Sequence, residues 1–292
     1  MKKMMILALA ALVALPACKQ QSSEEMLQGF ADLYQEEISR MQAVFREIAT
    51  DANRTEEEAA EAVEKMETEL KDKLLTAADK IVRKAPNDTA VIPGVFRYLA
   101  SVFEPEDMAG LVDKVGTDAL QVPYMARLAD RINSTKATAV GSKFVDFTVD
   151  HVASVDKDGN PVYEKRSLSD YVGKGKVVLV DFWSPWCPPC KEEIPNIKKV
   201  WEKYHGDDFD VLSVAVWEES RGMSWRNTID TAAFFGMNWQ LLNNGHSEPT
   251  ELYGITGIPT LILFDKDGTI LQRGEALRGS SMEPTVAAAL GR

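Results

Sequence analysis

Apolar and polar positions change rhythm midway along the chain. From Ser22 to about Thr135, Leu27, Phe30, Tyr34, Ile38, Met41, Phe45 and Ile48 recur at spacings of three and four, and Val63, Met66, Leu70, Leu74, Ala77 and Ile81 repeat the pattern. That spacing lays one apolar stripe along each of two amphipathic helices. "TEEE" at Thr55–Glu58 predicts a capping box at the start of the second helix, where a hydroxyl and a carboxylate satisfy amides that have no intrahelical partner. "APND" at Ala85–Asp88 ends that helix. Shorter helices are predicted around Gly94–Phe103, from Pro105, and over Asp118–Ile132; Pro105 suits a first turn, where its missing N–H costs nothing. The stripes make either the core of a small bundle or a seam for a partner. No motif in this half carries chemistry.

"NSTKATAV" reads as a linker, and beyond it the period shortens. "KFVDFTVD" alternates like a strand, and "DKDGNPV" is turn chemistry leading into another. "KVVLVDFW" is a nearly unbroken β-branched and apolar run, the pattern of a strand buried on both faces. A helix is predicted from the following cysteines to about Tyr204, then a buried strand at "FDVLSVAVW" and a helix at "SWRNTIDTAAFFG". "PTLILFDKDGTILQRG" is two strands joined at Asp267-Gly268, and a last helix covers about Met282–Leu290. All six tryptophans lie in this half. The order predicts an α/β domain over 137–292, a mixed sheet flanked by helices, preceded by a separate all-α domain over 19–136.

The first residues change the picture of where the chain works. Lys2 and Lys3 precede the apolar run "MMILALAALVALP", which has the length of a signal peptide and falls short of a bilayer span. Residues 1–17 are therefore set apart from the fold. "LPAC" resembles a bacterial lipobox, which implies lipidation of Cys18 as the first mature residue; an ordinary secretory signal cut nearby is the alternative. Acyl chains anchor a protein without spanning, so membrane contact is expected through the lipid alone. The expected location is the periplasmic side of a bacterial membrane.

Charge and cysteine count narrow the chemistry. A formal net charge of −12 argues against nucleic acid, which proteins meet with Lys and Arg. With Cys18 lipidated, only Cys187 and Cys190 of the three cysteines remain, so no other disulfide holds an exported fold. Structural zinc wants four ligands, and His151, His205 and His246 are scattered; a two-ligand copper(I) site stays open. A staple closed over two residues removes little unfolded-chain entropy. Redox exchange fits the position best. A strand ending at Trp183 and a helix opening near Pro188 put Cys187 at a helix N-terminus, where the dipole and free amides favour a thiolate.

"VDFWSPWCPPC" resembles the active-site segment of thioredoxin-like proteins, and "WCPPCKEEIP" resembles their membrane-tethered, periplasm-facing TlpA/ResA type. "GITGIPT" is similar to the loop whose proline is cis in that fold. The resemblance covers about residues 138–292. It implies Cys187 as an exposed attacking thiol, Cys190 as the more buried resolving thiol, and Pro259 with Ile258 as the wall that binds the substrate backbone. It also implies Asp181 and Glu193 as acids that relay protons to and from Cys190, with Trp186 flanking the dithiol. The only redox group implied is the Cys187–Cys190 disulfide, with no further cofactor and no metal. Protein thiols and disulfides are the implied substrates, and a membrane redox partner would regenerate the dithiol.

Ser184 stands three residues before Cys187, as a hydroxyl does in peroxiredoxins, but Val180 occupies the place of the proline expected there, and Cys190 supplies a resolving thiol one turn away. The expected function is a thiol–disulfide oxidoreductase that reduces exported proteins. An oxidase or disulfide isomerase is the alternative within that chemistry, and a non-catalytic scaffold lipoprotein the alternative outside it.

Overall fold

The computed structural model describes residues 21–51, 53–243, 245 and 247–292. The leader and Cys18, with its expected lipidation, lie outside the described residues. The chain forms two compact units, one of residues 21–103 and 110–125, the other of 104–109 and 126–292.

The first unit is helical. It contains α1 (Ser23–Thr50), α2 (Glu56–Lys84), α3 (Val91–Leu99), the last residues of α4 (Pro105–Val112), and α5 (Thr117–Leu120). The capping box is formed as predicted: Glu58 N donates to Thr55 Oγ1 at 3.2 Å and Thr55 N to Glu58 Oε2 at 2.9 Å. Ser22 and Glu25 repeat the motif on α1, unpredicted. The predicted stripe of α2 is buried at Met66, Leu70 and Leu74; beyond them the buried positions are Ala78 and Val82, one residue past the predicted Ala77 and Ile81, which are half-buried like Val63. Of the predicted stripe of α1 only Phe30 is buried, Met26 is buried where Leu27 was expected, and Phe45 is exposed. Tyr98 of α3 packs against Phe30 and Tyr34, so the aromatic partners reach only the first half of α1. Farther along, buried Glu37 joins the two long helices by ion pairs to Arg40 at 3.0 Å and Lys73 at 2.7 Å.

The helix predicted over Asp118–Ile132 is two, α5 and α6 (Pro123–Ala137). Pro123 cannot donate into a continuing ladder and opens the second instead. The stretch predicted as a linker is partly helical, since α6 runs through Lys136 and Thr138 Oγ1 still bonds back to Ser134 O at 2.8 Å.

The second unit holds α6 from Ala126 onward and the α/β body. β1 (Thr148–Val155) and β2 (Pro161–Ser167) pair antiparallel as a separate ribbon; the strand predicted from Lys143 starts only at Thr148. β3 (Val177–Trp183) leads into α7 (Pro188–Tyr204), β4 (Phe209–Ala215), α8 (Trp225–Phe235), β5 (Gln240–Leu242), α9 (Glu248–Leu252), β6 (Thr260–Phe264), β7 (Ile270–Arg273) and α10 (Met282–Ala289). The sheet order is β5-β4-β3-β6-β7, with β3 parallel to β4 and antiparallel to β6, the mixed sheet that was predicted. β5 and α9 are too short to give a periodic signal. Every residue of β3 is buried. Its odd positions Leu179 and Trp183 share a core with α7, and its even positions Val180 and Phe182 share one with Phe147 and Tyr253.

α6 joins this unit by backbone packing. Gly254, at φ +62°, sits where an added Cβ would lie 2.3 Å from Thr135 Oγ1 and 3.2 Å from Arg131 O. Arg273 Nη1 donates to Thr138 O and Oγ1, both at 3.0 Å, just past the helix. Gly254→Ala is therefore expected to destabilise the protein by more than about 1 kcal/mol, because positive φ and the helix contact oppose the methyl together. Urea denaturation with wild type alongside checks this; an unchanged midpoint would mean that α6 does not press on Gly254.

Candidate active site

β3, the central strand, carries its chain to one end of the sheet at Trp183, and the next residues turn over that end. Cys187 N donates to Ser184 O at 3.1 Å, closing that turn. Cys187 then serves as N-cap of α7, in extended conformation, and its Sγ accepts from Cys190 N at 3.2 Å. Pro188 and Pro189 occupy the first helical positions, where no N–H is called for, so the Cys190 amide is the first donor the helix offers. Cys187 and Cys190 are joined by a disulfide, with 5.3 Å between their Cα atoms. In the reduced pair the same amide and the positive end of the helix favour a thiolate at Cys187.

The Ile258–Pro259 bond is cis. Pro259 is buried, and the carbonyl oxygen of Ile258 lies 3.6 Å from Cys187 Sγ. The expectation of an exposed Cys187 above a buried Cys190 is corrected here, since the two residues are 3% and 2% exposed. Both sulfurs belong to the core under the sheet end, Trp186 and Ile258 pack against that core, and the proline loop closes over Cys187.

Asp181 and Glu193 are both buried on this side of the sheet. Asp181 follows the same two-residue alternation as Leu179 and Trp183, which places its carboxyl on the face that holds the cysteines. Its Oδ2 accepts from Ser213 Oγ at 3.1 Å, and Ser213 Oγ accepts from the Trp239 indole at 2.9 Å. Asp181 Oδ1 is buried and meets no partner among the described residues. Burial, with the nearby Glu193 charge adding to it, pushes the Asp181 carboxyl up to about 7 against the opposing Ser213 hydrogen bond. Glu193 is better held: its Oε1 accepts from Asn196 Nδ2 at 3.0 Å and from Gly279 N at 2.9 Å. The site thus sets a carboxyl that exchanges protons near neutrality beside a dithiol, which suits thiol exchange.

Trp186 is fixed by its indole, which donates to Trp217 O at 3.1 Å, and Arg221 lies 5.1 Å over the ring. Trp217 adopts φ +56° to present that carbonyl. The structure brings together every residue expected at the site within 181–193 and 258–259. Ser213, Trp239, Gly279 and Trp217 were not foreseen. Ser213 did leave a signal, a hydroxyl inside the otherwise apolar run "VLSVAV". The other three act through backbone atoms or from distant segments.

The model of the AhpC/TSA family matches residues 140–273. The chain is 31% identical over 134 residues to the thiol-disulfide oxidoreductase ResA of Geobacillus thermodenitrificans, covering 46% of this chain and 68% of that one. It is 30% identical over 136 residues to ResA of Geobacillus kaustophilus, covering 47% and 69%. Among solved structures, the thioredoxin domain of a thiol-disulfide oxidoreductase from Bacteroides vulgatus is 28% identical, with a TM-score of 0.40, covering 51% of this chain and 96% of that one.

The Asp181 carboxyl makes stability depend on pH with a definite sign. Below about pH 4 it is protonated folded and unfolded alike. Between about 4 and about 7 the unfolded chain ionises and the folded one does not, so wild-type stability falls as pH rises. At about 1.4 kcal/mol per pH decade, the displacement from 3.8 to about 7 is worth on the order of 4 kcal/mol. Asp181→Asn lacks this loss, and its stability relative to wild type should climb across that window. Denaturation at pH 4, 5.5 and 7.5 reads it, and a difference that stays flat with pH would refute the assignment.

Proposed function

This chain belongs to the ResA family of thiol–disulfide oxidoreductases, and on that premise we propose that it reduces disulfides of exported proteins at the periplasmic side of a bacterial membrane. The observation that carries the reading is the Cys187–Cys190 disulfide at the start of α7, with the cis-proline loop lying over Cys187. In the reduced enzyme the Cys187 thiolate attacks one sulfur of a substrate disulfide. The Cys187–substrate disulfide forms as the substrate S–S bond breaks, and one substrate thiolate leaves. Cys190 then gives up its proton and attacks Cys187 Sγ. The intramolecular disulfide closes, and the second substrate thiolate leaves. Two electrons pass to the substrate; the proton released by Cys190 and one from solvent convert its two thiolates to thiols.

Asp181 is the acceptor suited to the Cys190 proton, because a carboxyl titrating near 7 can take it up and return it at working pH. Glu193, held by Asn196 and Gly279, is the second acid of the relay. Trp186, Ile258 and Pro259 form the wall against which the substrate backbone lies. A membrane dithiol donor restores the reduced pair. Cys187 in a disulfide one turn from its resolving partner supports exchange over peroxide reduction.

The apolar leader and "LPAC" support anchorage by lipid on Cys18. No helix among the described residues is long and apolar enough to cross a membrane.

Two experiments test this reading. Cys190→Ser should stall at the mixed disulfide and yield adducts from the native envelope that dithiothreitol releases. Adducts that persist when Cys187 is also replaced would overturn the role of Cys187. For the anchor, Cys18→Ala should remove the protein from the membrane fraction, and mass spectrometry of wild type should find acyl chains on Cys18. A mature N-terminus beyond Cys18 without lipid would sink the anchor.

A further inference from the structure

The cis-proline loop forms one side of a second cleft, of about 460 Å³, whose opposite side comes from outside the matched family segment. Its lining includes Arg131 and Thr135 of α6, Glu104 and Glu106 at the start of α4, and the Gly254–Thr260 stretch. All of these belong to the second compact unit. The two sides are held in fixed register, because α6 lies on Gly254 at distances that admit no side chain. Ile258 and Pro259 line the cleft, and Ile258 O is 3.6 Å from Cys187 Sγ. A polypeptide reacting at Cys187 therefore has its flanking residues beside this cleft.

Three guanidinium groups line the cleft, and two are occupied. Arg273 is spent on Thr138 O and Oγ1 and on Tyr253 O, each at 3.0 Å. Arg278 is paired with Glu275 at 2.9 Å. Arg131 differs: its Nε is shielded from water and meets no acceptor among the described residues. A buried guanidinium N–H without an acceptor loses its hydration and gains nothing in exchange. Glu104 and Glu106 are exposed at the cleft, and the charge of Glu106 acts on Arg273.

Resting on the reductase reading above, we infer that α6 supplies a specificity site in which Arg131 binds an acidic side chain of the substrate polypeptide close to its reacting cysteine. A carboxylate would meet the terminal nitrogens of Arg131, which are not shielded as Nε is, and make charge-assisted hydrogen bonds to them. Because the chain carries a net charge of −12, the preference cannot come from long-range attraction and acts at contact.

The test uses the full chain and two disulfide-linked peptides that differ only in Asp or Lys near the cysteine. Reduction by the pre-reduced enzyme is followed at about 0.15 M salt, where long-range steering is screened. Wild type should favour the Asp peptide by roughly tenfold in kcat/KM, the difference lying in KM, as expected of one charge-assisted contact. Arg131→Gln should bring the ratio near one, Arg131→Lys should keep part of it, and Arg131→Glu should invert it. The ratio is the readout because a folding defect lowers both rates together. Equal ratios in wild type and Arg131→Gln, or a wild-type ratio near one, overturn the inference while leaving the reductase reading intact. If neither peptide is reduced, the reductase reading fails and this inference fails with it.

Discussion

The site depends on one junction, where a strand buried on both faces hands the chain directly to a helix. β3 pairs in parallel with β4 and antiparallel with β6, so its end cannot shift without breaking both ladders. α7 begins five residues after Trp183, and its N-terminal residues Cys187 and Cys190 share a core with Leu179 and Trp183. The dithiol therefore follows a strand that is buried and paired on both sides. Two prolines fill helical positions that need no donor, which leaves the Cys190 amide aimed at Cys187 Sγ. Placement of the disulfide and electrostatic support for the thiolate follow from the same few residues.

That rigid junction also surrounds the cysteines with a medium of low polarity, which gives the acids their different character. Asp181 has one oxygen held by Ser213 and one without a partner, and desolvation keeps it close to neutral. Glu193 receives an amide from Gly279 and one from Asn196. Two carboxyl groups on one face thus meet opposite treatment, one starved of donors and one supplied with them. A group suspended between charged and neutral costs folding stability, and thiol exchange is a use for which that cost is sustained.

The same economy shows at the loop across the cleft. Gly254 permits α6 to approach backbone to side chain, and Arg273 ties the segment after that helix to Tyr253. The second unit's part of α6 therefore lines the cleft together with Pro259. Residues with no chemistry of their own acquire a bearing on the site through packing.

The sequence by itself determined the elements and the reacting atoms. Periodicities of 3.6 and 2 are local, so α2, β3, α7 and the β6–β7 hairpin were legible, and so was a cap written in adjacent residues such as Thr55 and Glu58. The cysteine spacing and the proline loop are likewise local signals, and they identified the dithiol. Tertiary structure alone decided the rest, because it depends on groups distant in sequence. The stripe of α1 is satisfied only over the half that finds partners, and "NSTKATAV" turned helical in part because α6 has a surface to lie on. Cys187 is covered because a loop some seventy residues away folds over it. Asp181 owes its proton affinity to burial and to Glu193, opposed by Ser213, and the strand that carries it records none of these. Period and spacing are properties of neighbours along the chain, whereas burial and dielectric are properties of neighbours in space.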